Sequence, residues 1–331
     1  MSHETIELAP VDEVQVTTLY DNLVDQMLPA SDAIERLPPA GGAIIVSSLL
    51  SEEKRMPFVG GHGFATVVTV IRNGVRRSLL FDAGGSPDGL VHNLDCLEMH
   101  PQDWSCIVLS HGHWDHTLGL IGLHQRVGRL AFPLTLHPDA YLTRINIYPD
   151  GHQSRTVPPS RQGLRDAGLD LIETERPSFV LDGMVLVTGQ VARTNSFETG
   201  SPPHHAVRNG VLEPDPLICD DQALVIHVRN KGLVVLTGCG HAGIINTIEY
   251  AQYITQVPTV HAVVGGFHLG PETFQARVKP VVESLVRLNP ALIAPTHCTG
   301  YRAMFGVYQA LPDAYVQNGV GTRITLRAGS P

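Results

Sequence analysis

The stretch that decides the fold is Leu109-Ser110-His111-Gly112-His113-Trp114-Asp115-His116, which follows the apolar run Cys106-Ile107-Val108. CIVL (106–109) reads as a buried strand, so the loop begins at a strand end, where a rigid backbone can hold side chains in place. His111, His113 and Asp115 lie two apart and project to the same side of an extended chain. His116 points differently, so one short loop can serve two neighbouring cations. Neutral imidazoles and an ionised carboxylate are the usual ligands of zinc and similar borderline metals. Gly112 lets the backbone turn tightly between the first two histidines.

Working outward, short β-branched runs alternate with turns. AIIVS (43–47), ATVVTVI (65–71) and SLLF (78–81) are expected as strands, with Asn73-Gly74 as the hairpin turn between the last two. Asp82 and the glycines after it end the third strand, and Ser86 caps a helix running to residue 97. A further helix is expected over 117–127. In the second half, strands are expected over 223–228, 233–236, 260–264, 292–294 and 322–326, and helices over 243–254 and 272–288. Residues 1–40 read as an N-terminal extension with one amphipathic stretch, 16–28, and residues 41–331 as a single domain. Within that domain, 138–205 reads as a loop-rich insertion shaping the pocket, interrupted by a hairpin turning at Asp182-Gly183. Hairpins in both halves, mixed with helices, point to an α/β (α+β) architecture of sheet on sheet with outer helices rather than a parallel βαβ array. No internal repeat is visible.

Composition narrows the functional classes. The 331 residues carry a net charge of −9, which argues against a nucleic-acid partner because a phosphate backbone needs a basic footprint. No apolar run approaches the ~18–20 residues of a membrane span, so no membrane partner is expected. The N-terminal MSHETIELAPVDEV lacks the pattern of a secretory signal. Five cysteines without a CxxC pair suggest reduced thiols and a cytoplasmic location.

The motif HGHWDH (111–116) resembles the H-x-H-x-D-H motif of the metallo-β-lactamase superfamily, and Asp82 matches the aspartate that usually precedes it. The resemblance extends over about 42–300. TGCGHAGIINTIEYA (237–251), VVGGFHL (263–269) and APTHCTG (294–300) are similar to one branch, the family named after 7,8-dihydropterin-6-methyl-4-(β-D-ribofuranosyl)aminobenzene-5′-phosphate synthase. The resemblance implies a four-layer αββα sandwich with one or two metals at the sheet edge. It implies that His111 and His113 bind the first metal, Asp115 and His116 the second, and that His297 is the last histidine ligand. Two divalent ions are expected, zinc first, with manganese or iron as alternatives.

Two ligand positions depart from the superfamily pattern. Where most members carry a metal-bridging aspartate, this chain has Cys239. A thiolate could ligate there, or His241 could reach the site; His241 is preferred. Where the middle histidine is usual, the chain has Cys219-Asp220-Asp221, and a carboxylate is expected to substitute, Asp220 before Asp221. His268 ends another strand and is expected to line the pocket as a substrate contact or an acid. His204 and His205 are set aside, because adjacent residues in extended chain point oppositely.

Gly238, Gly240 and Gly243 fit GxGxxG between a strand and a helix, but no acidic residue follows the next strand to hold a ribose. A dinucleotide site is therefore not expected, although the helix start at Gly243 could receive a substrate phosphate. Neither a GxSxG elbow nor a Walker A motif is present. The expected function is a metal-dependent hydrolase in which a metal-bound hydroxide attacks a phosphoester, lactone or similar small-molecule electrophile. Asp115 would orient the nucleophile and His268 would stabilise developing charge. The substrate is a small molecule, possibly phosphorylated. A transferase joining a dihydropterin diphosphate to an aminobenzene ribosyl phosphate is the main alternative. A non-catalytic metal or ligand sensor and an iron electron-transfer protein are two others.

Overall fold

In the computed structural model, which describes residues 6–148 and 150–330, the β-branched runs assemble into two large sheets. One has eight strands in the spatial order Asp170–Glu173, Pro133–Leu136, Cys106–Val108, Val75–Phe81, Ala65–Arg72, Glu13–Tyr20, Thr322–Arg327 and Ile34–Arg36. The other has six, in the order Ser178–Val180, Val185–Val187, Ala223–Val228, Gly232–Thr237, Val260–Gly266 and Leu292–Thr296.

Alternation along these strands builds the layers, because successive side chains leave a strand on opposite faces. Val68, Val70, Leu79 and Phe81 of the first sheet meet Leu224, Ile226, Val234 and Leu236 of the second in a dry central core. The opposite face of the first sheet, with Leu80 and Ile107, packs under Leu90, Leu94, Leu120 and Leu123 of the helices Pro87–Cys96 and Gly119–Val127. The opposite face of the second, with Val235, Val263 and Ile293, packs under the helices Ile244–Thr255, Gln275–Leu288 and Tyr301–Ala310. The order helix, sheet, sheet, helix is the expected αββα sandwich.

Strand direction places the site. Val75–Phe81, Cys106–Val108 and Pro133–Leu136 run parallel, as do Gly232–Thr237, Val260–Gly266 and Leu292–Thr296. Their C-terminal ends gather at one edge of the sandwich. The loops starting at Asp82, Leu109, Gly238, Phe267 and His297 therefore emerge side by side.

Three expectations are corrected. The expected N-terminal extension, 1–40, lies partly outside the described residues, and from residue 6 onward it is not an extension: Glu13–Tyr20 is an interior strand, paired antiparallel with both Ala65–Arg72 and Thr322–Arg327. The alternation in EVQVTTLY, with Val14 and Val16 in the central core, outweighs the helical spacing read over 16–28. Of AIIVS, only Ile44–Ile45 pairs, in a two-stranded ribbon with Lys54–Arg55 on the surface. The stretch 138–205 is not a loop insertion but supplies strands to three sheets. Asp170–Glu173 edges the first and the hairpin 178–187 edges the second. Arg144–Ile147 and Gln153–Thr156 join His204–Arg208 and Val211–Pro214 in a separate four-stranded sheet beside the site. Among the described residues no helix is long and apolar enough to cross a membrane.

Candidate metal centre

Asp82, in the left-handed conformation after its strand, organises the HGHWDH loop from beneath. Its Oδ1 accepts from the Ser110 amide at 2.7 Å, and its Oδ2 accepts from Ser110 Oγ and His116 Nδ1, each at 2.7 Å. These bonds fix both histidine tautomers. The Ser110 hydroxyl spends its hydrogen on Asp82, so at 2.8 Å it accepts from His111 Nδ1. The Nε2 of His111 is thereby left as a free lone pair, and so is the Nε2 of a neutral His116. Gly112 is required for closeness, because a Cβ there would lie 1.9 Å from the Ala140 carbonyl oxygen.

The donors form two groups. In the first, His111 Nε2 lies 3.0 Å from His113 Nδ1, which lies 3.2 Å from His241 Nε2. In the second, Asp115 Oδ2 lies 3.5 Å from His116 Nε2 and 3.3 Å from His297 Nε2. Cys239 Sγ completes that group at 3.2 Å from His116 Nε2 and 3.3 Å from His297 Nε2. Cys239, His241 and His268 also lie close enough together to share an ion. His268, in left-handed backbone, packs its ring 4.0 Å from that of His241.

Burial dominates the electrostatics. It holds His111 and His241 well below the usual imidazole range, helped by neighbouring histidines, and pushes His113 down to about 3. The first group therefore presents neutral rings, the form that ligates. For His116 burial also disfavours charge, yet Asp115 and Asp82 outweigh it and raise the group well above its usual range. Burial would likewise raise Asp115, but His116 and His297 hold it well below the usual carboxylate range. Burial pushes the Cys239 thiol up, so its ligation as thiolate calls for a cation.

These residues fit divalent ions. Imidazole nitrogens at 3.0 and 3.2 Å, with one tautomer fixed toward the shared point, are a set that a cation satisfies and a hydrogen-bond network does not. His113 Nε2, His241 Nδ1 and His268 Nδ1 are buried without partners. Nitrogen, sulfur and carboxylate donors are the ligands of zinc-like ions.

Of the expected ligands, the structure brings together His111, His113, Asp115, His116, His241 and His297. It also brings in Cys239, so both residues of that alternative face the site, His241 in the first group, Cys239 in the second, and the two together beside His268. Asp220 is corrected. Its Oδ1 accepts from Arg144 Nη2 at 2.5 Å and its Oδ2 from the Gly112 amide at 2.9 Å, which leaves it a brace for the metal loop. Asp221 instead accepts from the Ala242 amide at 2.8 Å, and burial raises it to about 6. The suggestion of a phosphate at the Gly243 helix start is also corrected. Glu198 already occupies it, accepting from the Ile245 and Asn246 amides at 3.1 and 2.9 Å.

Sequence reading missed His62, Asn22 and Asp21, and it set aside His204. His62, in a glycine-rich loop, places Nε2 3.3 Å from Asp115 Oδ2. Asn22 and Asp21 hold His297, Asn22 through the ring and Asp21 through the backbone amide. His204 lines the site from the small sheet, with burial lowering it to about 4. A lone histidine after glycines carries no spacing signal, and the other residues sat in stretches read as extension or loop.

A buried αββα sandwich with paired histidine-rich donor groups at its sheet edge defines a class of metal-centred proteins. The chain belongs to the metallo-beta-lactamase superfamily, whose family model matches residues 61–252, more than half of its length. It is 26% identical over 251 residues to the 7,8-dihydropterin-6-methyl-4-(beta-D-ribofuranosyl)-aminobenzene-5'-phosphate synthase of Methanocaldococcus jannaschii, covering 75% of this chain and 84% of that one. An uncharacterized protein of the same organism is 28% identical over 264 residues, covering 78% of this chain and 92% of the relative. Among solved structures, Tm1679, described as a metal-dependent hydrolase of the beta-lactamase superfamily, matches with a TM-score of 0.66 and 21% identity. That match covers 96% of this chain and all of the other.

Proposed function

We propose that the protein is a metal-dependent hydrolase acting on small, uncharged electrophiles, with carboxylic esters and lactones ahead of phosphoesters. One observation carries this reading: His113 and His241 of the first group and Asp115, Cys239 and His297 of the second line a cavity of about 470 Å³ whose described lining residues include no Lys or Arg. Divalent ions at such a site supply Lewis acidity and lower the pKa of a bound water from 15.7 to about 7. Asp115 is the carboxylate lining the cavity, and it orients the attacking water by accepting its hydrogen. His268, with Nδ1 free of protein partners, faces the leaving group and delivers a proton to it. Trp114 and Phe274 shield the site from bulk water.

The test is elemental analysis of the purified protein with a screen of lactones, carboxylic esters and phosphodiesters. Turnover that needs stoichiometric metal and is lost with His116→Ala supports the reading. Metal-loaded protein inert to the whole panel overturns it. A second reading, synthesis rather than hydrolysis, is favoured by the identity shared with the named synthase over 84% of that protein. An amine would then take the place of water. Coupling products that appear only when an aminobenzene partner is added, with no ester hydrolysis, would establish it.

A further inference from the structure

The small four-stranded sheet forms the cavity wall facing the donor groups. Asn146, in the strand Arg144–Ile147, pairs with Ser154 on one side and with His204 on the other. Directly opposed residues of antiparallel strands share a face, so Ser154, Asn146 and His204 make a polar row, and all three line the cavity. The His204 ring lies 6.0 Å from that of His113 at an interplanar angle of 18° and 5.9 Å from that of His241. The row therefore stands over the first donor group.

Its position is rigid. Arg144, two residues before Asn146 and on the same face, is buried and clamped by Asp215 at 2.8 Å and Asp220 at 2.5 Å. Asp220 in turn holds the metal loop through the Gly112 amide at 2.9 Å. Wall and floor are thus braced to one another through a single carboxylate.

Two polar atoms of the row have no partner: Asn146 Oδ1 and His204 Nδ1, both buried. A buried polar atom left unpaired is costly, and each one in a native protein calls for an explanation. A carboxamide sets an acceptor beside a donor in one plane and pairs bidentately with an edge that offers the reverse. A cis-amide edge, as in a lactam or an aminopyrimidinone, is such a group. Tyr148, two residues beyond Asn146, and Phe274 line the same cavity and add aromatic surface to it, with His152 stacked on the first ring and Arg277 over the second.

We propose that this wall is the substrate-recognition subsite. The Asn146 carboxamide reads a cis-amide edge on an uncharged ring, His204 adds a hydrogen bond through Nδ1, and the reacting bond faces the donor groups. The proposal rests on the cavity being the substrate site of a metal-dependent enzyme, and it holds for hydrolysis or synthesis alike.

Calorimetric titration of the metal-loaded protein with δ-valerolactam, isocytosine and N-methyl-δ-valerolactam tests it. The first two should bind, and N-methylation, which removes the donor, should weaken the lactam by about tenfold. Asn146→Ala and Asn146→Leu should weaken the lactam about fivefold to tenfold, leave the N-methyl lactam unchanged and retain the full metal content. Equal binding of the two lactams to the wild type overturns the proposal, and that comparison needs no variant. Unchanged affinity in both variants, or no binding of either cis-amide probe, overturns it as well. Probe binding without ester hydrolysis removes the hydrolase reading and keeps the subsite. Metal-dependent hydrolysis without probe binding does the reverse.

Discussion

The Nδ1 of His297 lies 3.3 Å from Oδ1 of Asn22, a residue 275 positions earlier in the chain. Asn22 Nδ2 also donates to the His297 carbonyl at 3.1 Å, so the ring and the backbone of this histidine are held by one side chain. With Nδ1 so engaged, Nε2 is turned toward Asp115 and Cys239.

Orienting groups of this kind contribute to metal affinity. Asn22→Ala is expected to weaken the second ion by about 10–100-fold, with the first ion unaffected. Competition with a chromogenic chelator, followed by elemental analysis of the retained metal, measures this. Unchanged release of both ions would show that Asn22 is not needed to orient the ring.

Cys239 and His241 are expected to differ in their signature, because only Cys239 offers sulfur and only His241 joins the His111–His113 group, although the two also share a third group with His268. Cobalt-loaded protein should show a near-ultraviolet thiolate-to-cobalt charge-transfer band that disappears in Cys239→Ser and persists in His241→Ala. The band surviving in Cys239→Ser would exclude the thiolate as a ligand.

Arg144 neutralises two buried carboxylates, Asp215 and Asp220. Arg144→Met leaves Asp220 without a guanidinium and Asp215 with Arg208 alone, and is expected to cost about 3–5 kcal/mol, read from urea unfolding. Adding Asp220→Asn should recover part of that loss. Burial alone would raise the Asp220 carboxyl, but Arg144 outweighs burial and holds it below its usual range. A depressed carboxyl contributes stability that is fully present above its unfolded pKa of about 3.9. The contribution disappears as the pH falls through the lower folded value. The gap between wild type and Arg144→Met should therefore narrow below about pH 4.

Glu198 caps the helix Ile244–Thr255 through two backbone amides. Glu198→Ala is expected to destabilise the protein by about 0.5–2 kcal/mol in thermal or urea unfolding. Glu198→Gln should fall between the two. Stabilisation of the wild type by inorganic phosphate that is lost in Glu198→Ala would contradict this capping role.

Much of the architecture was legible because the informative segments are long and regular. ATVVTVI, ALVIHV and the 14-residue helix Gln275–Leu288 carry their periods plainly. The HGHWDH loop was legible because metal chemistry demands particular residue types at short spacing. Arg144–Ile147 and His204–Arg208 were not, since strands of four and five residues span only about two repeats of the alternation. Asp220 misled for a related reason. A carboxylate at a ligand-like position is indistinguishable in sequence from one that answers a buried guanidinium, and Arg144 lies 76 positions away. The tyrosines and Phe305 of the helix Tyr301–Ala310 are exposed, so no single apolar face announced it.

The pairing of Glu13–Tyr20 with Thr322–Arg327 sets the order of events during biosynthesis. A nascent polypeptide cannot complete its eight-stranded sheet until Thr322–Arg327 has left the ribosome, after the donor His297 has already emerged. The early strand Glu13–Tyr20 therefore waits with one edge unpaired until Thr322–Arg327 is made, and deleting that later strand would leave the edge open to adventitious pairing.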